Sequence, residues 1–263
     1  MIYRGCRWTV ALRPVYQGDA WEAIVRDLLR QAVRAGVKAR LVLVDRGFYS
    51  VAVLRYLQAA RYPFILPVVR RGLSPKHPNG PSGTWTFFTW KRSGWSQYTL
   101  TERRGRQRAT VSIGVCCRWV RRRRRRRPGW GPRQRAVWVY AFWGVKPSSM
   151  TWLRATYRLR FGIESSYRQL HQARIRTSTR QPLLRLLYVG VALLLRNVWV
   201  WLHWEVLAAR RRGRRRVDLS RLPFRAMLLW LQQCIAEDLG HTDFLATQRP
   251  MQTGIGSIPP PQG

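Results

Sequence analysis

Short apolar runs alternate with helical repeats along the first 69 residues of this chain, and this alternation constrains the fold more than any other feature. Residues 8–15, 41–44 and 62–69 have the composition of strands, and the run at 41–44 is continuously apolar, as in a buried strand. Helices are predicted at residues 18–35 and 50–60, between those runs. Strands that alternate with helices predict an α/β core with some parallel pairing.

A β-rich segment is predicted after Arg70. Residues 74–83 are rich in Pro, Gly and Ser, as in a linker. Four alternating runs that predict antiparallel strands follow, at residues 84–90, 97–102, 109–120 and 136–145. Seven consecutive arginines, Arg121–Arg127, stand between the last two runs and predict a basic hairpin loop. We therefore interpret residues 74–146 as a β-rich insertion.

Helical spacing resumes after Pro147. Ser148 and Ser149 are candidate caps of a helix over the following residues. Pro182 begins a long apolar helix, and a final amphipathic helix is predicted at residues 222–239. The predicted domains are residues 1–73, the first part of the core; 74–146, the insertion; 147–240, the helical part of the core; and 241–263, a disordered tail.

The long apolar helix allows two interpretations, a buried core helix and a membrane span. A span requires about 20 mostly apolar residues, and a charge near its centre costs about 2.5–3.5 kcal/mol. Arg196 would lie near the middle of the span. The sequence therefore favours a buried core helix and no membrane partner.

The charge of the chain is strongly basic. Lys and Arg total 49 against 11 Asp and Glu, for a formal net charge of +38. Such a charge attracts polyanions in a salt-dependent way, so nucleic acid is the first expected partner and an anionic membrane surface the second. The excess of Arg over Lys suits phosphate binding but also fits a codon bias. The chain shows neither a CxxC pair nor a signal peptide, so a cytoplasmic, nucleoid-associated protein is expected.

Two of the few carboxylates stand in distinctive settings. Asp45 follows an apolar strand, at the end where sites gather in open α/β sheets, although a turn aspartate that binds its own backbone would have the same position. Glu164 shares a predicted helix with Tyr157, Arg160 and Arg168, with spacings that put most of them on one face. A surface stripe of ion pairs would have the same spacing. Neither stretch alone separates the alternatives.

Together, the two stretches resemble the DDE transposases of insertion sequences, specifically the insertion-sequence-four-like group. The segment Asp45-Arg46-Gly47-Phe48 matches the strand-end motif of that group. Tyr157, Arg160 and Glu164 match its Tyr-x2-Arg-x3-Glu-x6-Lys signature, with His171 at the Lys position. The resemblance covers roughly residues 8–210, and the insertion between the two motifs also fits.

The resemblance implies a ribonuclease-H-like core and a DNA transposase that cleaves and joins DNA with Mg²⁺ or Mn²⁺. Asp45 and Glu164 would be catalytic metal ligands. The implied partners are the insertion-sequence ends and the target DNA, and a homodimer in the DNA complex is left open. The residues expected to contact DNA are Tyr157, Arg160, Arg168, His171 and Arg46.

The resemblance also predicts a first Asp before the strand at residues 8–15. Residues 1–8 contain no acid, and Asp19 follows that strand and is predicted to be a helix N-cap. We therefore expect an N-terminally truncated core and a weakly active or inactive transposase. One alternative is a non-catalytic, basic DNA-binding remnant or regulator. Another is a nucleic-acid-binding protein unrelated to transposition, in which Asp45 and Glu164 would lie far apart.

The basic run Arg121–Arg127 is expected to contact phosphates without selecting a sequence, and Arg210–Arg216 is expected to flank a helix end and help clamp DNA. A solvated run without a defined target is the alternative for Arg121–Arg127. Tryptophans near that run either stack on exposed bases or pack between strands, and packing is the favoured interpretation. These tryptophans are Trp85, Trp90, Trp95, Trp119 and Trp130.

Overall fold

The computed structural model describes residues 1–3, 5–102, 106–123, 130–211 and 214–240. Within those ranges, only the backbone is described for residues 122–123, 130, 163–165, 210–211 and 214–216. The predicted disordered tail and most of the predicted polyarginine loop lie outside the described residues. The chain divides into two compact units, one of Met1 and Thr9–Ser166, the other of Ile2–Trp8 and Tyr167–Gly263. Each unit is described by itself below.

Strands and helices alternate as expected for an α/β protein. The strands are β1 (Ile2–Tyr3), β2 (Cys6–Arg7), β3 (Val42–Leu43), β4 (Phe64–Pro67), β5 (Gly94–Thr101), β6 (Arg108–Arg123), β7 (Trp130–Trp143), β8 (Ala209–Arg211) and β9 (Arg214–Arg216). The α-helices are α1 (Trp21–Arg34), α2 (Val51–Ala59), α3 (Trp85–Phe88), α4 (Met150–Arg158), α5 (Gly162–Leu170), α6 (Pro182–Glu205) and α7 (Phe224–Asp238). Three 3₁₀ turns lie at Arg46–Phe48, Leu159–Phe161 and His171–Ala173.

The first unit is built on one five-stranded mixed sheet of order β3-β4-β7-β6-β5. β3 and β4 are parallel and are joined through α2, whereas the other neighbours are antiparallel. β7 pairs with β4, from Phe64 opposite Trp143 to Pro67 opposite Tyr140. The strands of the predicted insertion therefore continue the sheet that β3 and β4 begin. The domain boundaries drawn from the sequence stay predictions.

The core of this unit consists of two clusters on opposite faces of the sheet, and successive residues of β4 belong to one cluster and then the other. Phe64 and Leu66 pack in one cluster with Leu54 and Leu57 of α2. Ile65 packs in the other cluster with Leu153 and Tyr157 of α4 and with Tyr140 and Phe142 of β7. The sheet is thus covered by α1 and α2 on one face and by α4 on the other, and it holds α4 beside β3.

The prediction of α2 is confirmed, but two predicted strands are wrong. Residues 8–15 form no strand, and the N–H of Leu12 donates to the Gln31 side chain at 3.2 Å instead of to a neighbouring strand. Pro14 has no N–H to donate. Residues 85–88 form the short helix α3. Trp85 and Phe88, three residues apart, meet with ring centroids 6.2 Å apart, so the aromatic spacing fits a helix as well as a strand.

The long helix α6 in the second unit begins at Pro182 as predicted, but it is buried along only one face. Its buried residues are Ala192, Arg196, Trp199, Val200 and His203. Arg196 donates to the Arg7 carbonyl at 3.0 Å, and burial followed by the Arg7 charge lowers the pKa of Arg196. Leu194 is 65% exposed. By length and composition α6 could cross a membrane. Of its most apolar 18-residue stretch, 22% is buried.

Candidate active site

The carboxyl end of β3 carries Asp45. The Val44 N–H donates to the Ile65 carbonyl at 3.1 Å, which continues the parallel pairing up to this position. Asp45 Oδ1 accepts the Arg46 N–H at 2.6 Å and caps the 3₁₀ turn Arg46–Phe48. The turn role foreseen as an alternative is therefore present. The Asp45 side chain is nonetheless 54% exposed, so it is open to a ligand from solvent.

Tyr157 anchors α4 to the end of β3. The Ser149 hydroxyl accepts the Trp152 N–H at 3.0 Å, which caps the helix as the sequence predicts. Eight residues later, the buried Tyr157 hydroxyl donates to the Val44 carbonyl at 3.4 Å. Burial raises the pKa of Tyr157, and the charge of Arg160 works in the opposite direction. The phenol therefore keeps the proton that it donates to Val44.

Arg160 joins the second motif directly to the first. Its guanidinium nitrogen lies 3.6 Å from Asp45 Oδ1. The guanidinium carbon also lies 5.0 Å from the centroid of the Phe161 ring and 5.7 Å from that of Tyr157. Arg160 Nε is buried and has no hydrogen-bond partner among the described residues. Two stretches more than 100 residues apart in the chain thus meet at Asp45.

The segment that carries Glu164 is less regular than predicted. A 3₁₀ turn, Leu159–Phe161, separates α4 from α5, whereas the sequence indicated one helix over both. A 3₁₀ turn has about 3.0 residues per turn, so it shifts the alignment that 3.6-residue spacing would give Tyr157 and Glu164. Glu164 lies in the first turn of α5, one helical turn beyond Arg160. Its side chain lies outside the described residues, so its pairing with Asp45 stays a prediction.

A family model supports the interpretation of these motifs. The model for the transposase DDE domain matches residues 17–197, which include the whole five-stranded sheet and both motifs. The chain belongs to this family. No curated protein matches the chain. The resemblance to DDE transposases and the function of a DNA transposase are confirmed, whereas the insertion-sequence-four-like group stays a prediction.

Three other residues of the transposase were predicted to contact DNA. Arg46, beside Asp45 in the first unit, is exposed. In the second unit, Arg168 and His171 are exposed on α5 and at the start of the following 3₁₀ turn. All three side chains are accessible to phosphate, and their contacts with DNA stay predictions.

Asp19 does not supply the first Asp that the DDE resemblance predicts in addition to Asp45 and Glu164. Asp19 accepts the Tyr16 N–H at 3.1 Å and pairs with Arg13 at 3.2 Å. Ala20 is the N-cap of α1, so the predicted capping role of Asp19 is wrong. The Asp19 carboxylate is satisfied by the turn before the helix. In the part of the chain that the structure describes, no three His, Cys, Asp or Glu side chains form a group that could hold a metal.

Two parts of the transposase site were not identified from the sequence. The Val44 carbonyl accepts from Tyr157, and the Phe161 ring lies beside Arg160. A backbone carbonyl leaves no mark in a sequence, so only the fold reveals its role. Phe161 did offer a signal, since it follows Arg160 directly and an aromatic ring can hold a guanidinium by cation–π attraction.

Proposed function

We propose that this transposase acts on insertion-sequence ends and target DNA through an insertion-sequence-four-like, ribonuclease-H-like core, with Asp45 and Glu164 as metal ligands. The observation that carries the proposal is the meeting of the two motifs at Asp45, through Arg160 at 3.6 Å and Tyr157 on Val44. A basic protein unrelated to transposition would not require contact between these two motifs. That alternative predicts that Asp45 and Glu164 lie far apart, and the position of Arg160, four residues before Glu164 and 3.6 Å from Asp45, counts against it.

DNA is the proposed partner of the basic surface. The net charge of +38 favours a polyanion, and Arg46 and Arg160 put cationic groups next to Asp45. We further propose a cytoplasmic, nucleoid-associated location and no membrane partner, because Arg196 on α6 is buried and hydrogen-bonded to protein. A homodimer in the DNA complex is compatible with this proposal.

The Asp45 site fits a hard divalent cation in its donor chemistry. A carboxylate oxygen is the ligand type that Mg²⁺ and Mn²⁺ prefer, and the Asp45 side chain is exposed enough for an ion to reach it from solvent. Asp45 and Glu164 would hold the ion. When bound, the ion would supply Lewis-acid activation of a water or DNA 3′-hydroxyl and charge stabilisation at the leaving oxygen.

The residues of the chain would position the DNA around that ion. In the first unit, Arg46 and Arg160 would bind phosphate oxygens. In the second unit, Arg168 and His171 are also proposed to contact DNA. Tyr157 would hold the end of β3 through its hydrogen bond to Val44, which would keep the neighbouring Asp45 carboxylate in a fixed position. Positioning of this kind matters because catalysis depends steeply on the placement of reacting groups.

A non-catalytic DNA-binding remnant or regulator is the second candidate function. The observation that favours it is the engagement of Asp19, the first acid in the chain, by the Tyr16 N–H and Arg13, which leaves it unavailable as a third carboxylate. Two carboxylates would hold metal more loosely than three. Weak or absent strand transfer with retained DNA binding is therefore the expected behaviour.

A cleavage and binding assay on DNA with candidate terminal repeats tests both functions. We expect salt-sensitive binding, and any Mg²⁺- or Mn²⁺-dependent cleavage should be lost in Asp45→Asn. Asp27→Asn is the matched control, since Asp27 is also a partly exposed carboxylate beside an arginine, Arg13, at 3.1 Å. Binding without cleavage would support the remnant. Cleavage that survives Asp45→Asn would contradict the proposed site, and an absence of DNA binding at low salt would contradict both functions.

A further inference from the structure

The Asp45–Arg160 ion pair has a consequence for the order in which ligands bind. We propose that Arg160 is a displaceable counter-ion, which pairs with Asp45 in the DNA-free protein and moves to a DNA phosphate when DNA binds. Divalent-cation binding at Asp45 is thereby coupled to DNA binding. The inference rests on the proposed role of Asp45 as a metal ligand.

The geometry of the pair is that of a loose contact. The N–O distance of 3.6 Å exceeds the roughly 2.7–2.9 Å of a charge-assisted hydrogen bond. The contact uses Oδ1, the oxygen that also accepts the Arg46 N–H at 2.6 Å. Arg160 therefore neutralises Asp45 without the bidentate hydrogen bonds that would lock the two side chains together.

The other side of Arg160 retains capacity for a stronger partner. Its Nε is buried and has no hydrogen-bond partner among the described residues, and its side chain is only 16% exposed. A guanidinium prefers the bidentate geometry that a phosphate offers. The rings of Tyr157 and Phe161, whose centroids lie 5.7 and 5.0 Å from the guanidinium carbon, also attract the cation.

Arg160 and a divalent cation would compete for Asp45, because both are positively charged. A divalent cation on this carboxylate would lie close to the guanidinium charge, and the two cations repel each other in a half-buried site. A DNA phosphate that draws Arg160 away removes that repulsion and leaves Asp45 available. Because coupling between two ligands is reciprocal, the divalent cation must then strengthen DNA binding by the same factor.

The test measures Mn²⁺ binding by electron paramagnetic resonance, in which the signal of free Mn²⁺ decreases as the ion binds. The titration is done with and without a short DNA duplex. Each protein is compared with its own Asp45→Asn version, so that Mn²⁺ held by DNA or elsewhere cancels. We expect Arg160→Gln to bind Mn²⁺ at Asp45 about 5-fold more tightly than the wild type without DNA, the upper range for a partly exposed ion pair. DNA should tighten Mn²⁺ binding in the wild type and much less in Arg160→Gln.

Two further variants separate the charge from the fold. Arg160→Lys keeps a cation and should bind Mn²⁺ as weakly as the wild type without DNA. Arg158→Gln is the matched control, because Arg158 is exposed near the end of the same segment, and it should leave Mn²⁺ affinity unchanged. Circular dichroism melting checks that each variant is folded.

The outcomes distinguish this inference from the proposed function. Unchanged or weaker Mn²⁺ binding in folded Arg160→Gln, while Asp45→Asn still abolishes binding, would overturn the counter-ion role and leave the metal-ligand role intact. An equal effect of Arg158→Gln would overturn it as well, since the effect would then be one of general charge. Mn²⁺ binding that does not depend on Asp45, with or without DNA, would overturn the proposed function together with the inference.

Discussion

Gly114 of β6 provides a sensitive test of how α4 is positioned. A Cβ added at this residue would overlap Leu153 Cδ2 of α4 and lie 3.0 Å from Trp95 Cζ3. Leu153 is fully buried, so any shift of its side chain must be accommodated by its neighbours in the core. The α-helix approaches the sheet closely because this position carries no side chain. We therefore predict that Gly114→Ala displaces α4.

The magnitude follows from the packing. Inserting a methyl group into a filled core costs about 1–3 kcal/mol. For a unit of this size, each kcal/mol lowers the melting temperature by roughly 2–4 °C. Displacement of α4 also moves Tyr157 and Arg160, which reach Val44 and Asp45 at 3.4 and 3.6 Å. We expect the free energy of unfolding to fall and any DNA cleavage to fall with it.

Urea denaturation of Gly114→Ala, Leu153→Val and the double variant measures this directly. The smaller Leu153→Val side chain should relieve part of the clash, with a coupling of about 0.5–3 kcal/mol, as for residues in contact. Gly190→Ala is the control, because its added Cβ meets nothing within 4 Å and a helix-interior alanine should stabilise by up to ~1 kcal/mol. A Gly114→Ala variant within about 0.5 kcal/mol of the wild type would refute the packing of α4 on β6.

Three more measurements test local features of the first unit. Ser149→Ala should lower the free energy of unfolding by about 0.5–2 kcal/mol through loss of the α4 cap, whereas Ser148→Ala should stay within about 0.5 kcal/mol of the wild type in the same urea titration. Tyr157→Phe should cost about 0.5–1.5 kcal/mol, because it removes the hydrogen bond to Val44, and a wild-type unfolding midpoint would contradict that bond. Burial raises the pKa of Tyr140 from 10.0 to about 12, so only the unfolded chain ionises this phenol between those values. Stability should therefore fall by about 1.4 kcal/mol per pH unit in that window, and a Tyr140→Phe variant with the same pH dependence would contradict the shift.

Elements with strong local signals were predictable from the sequence. α2 has a serine cap, Ser50, and an apolar face that includes Leu54 and Leu57, and the structure confirms it. α4 begins after the predicted cap Ser149 and α6 begins at Pro182. Caps and apolar periodicity act within a few residues, so they can be identified without knowledge of the fold.

Elements that depend on distant partners were predicted less well. Residues 8–15 have a strand-like composition, but a strand requires a neighbour with matching hydrogen bonds, and Leu12 donates to the Gln31 side chain instead. β3 has only two residues, because its extent is determined by the pairing with β4. The break between α4 and α5 at Leu159–Phe161 was also missed, because Gly162, which follows the turn, has helical dihedral angles and does not end the helical pattern.

The sequence by itself determined the chemistry of this transposase, and the tertiary structure determined the geometry. The net charge of +38 and the two motifs around Asp45 and Glu164 identify the function, because residue types and spacings are local properties. The pairing of Arg160 with Asp45, and of Tyr157 with Val44, joins stretches more than 100 residues apart. Only the five-stranded sheet, with α4 packed on its face, brings those stretches together, since their contact depends on the pairing of β3 with β4 and of β4 with β7.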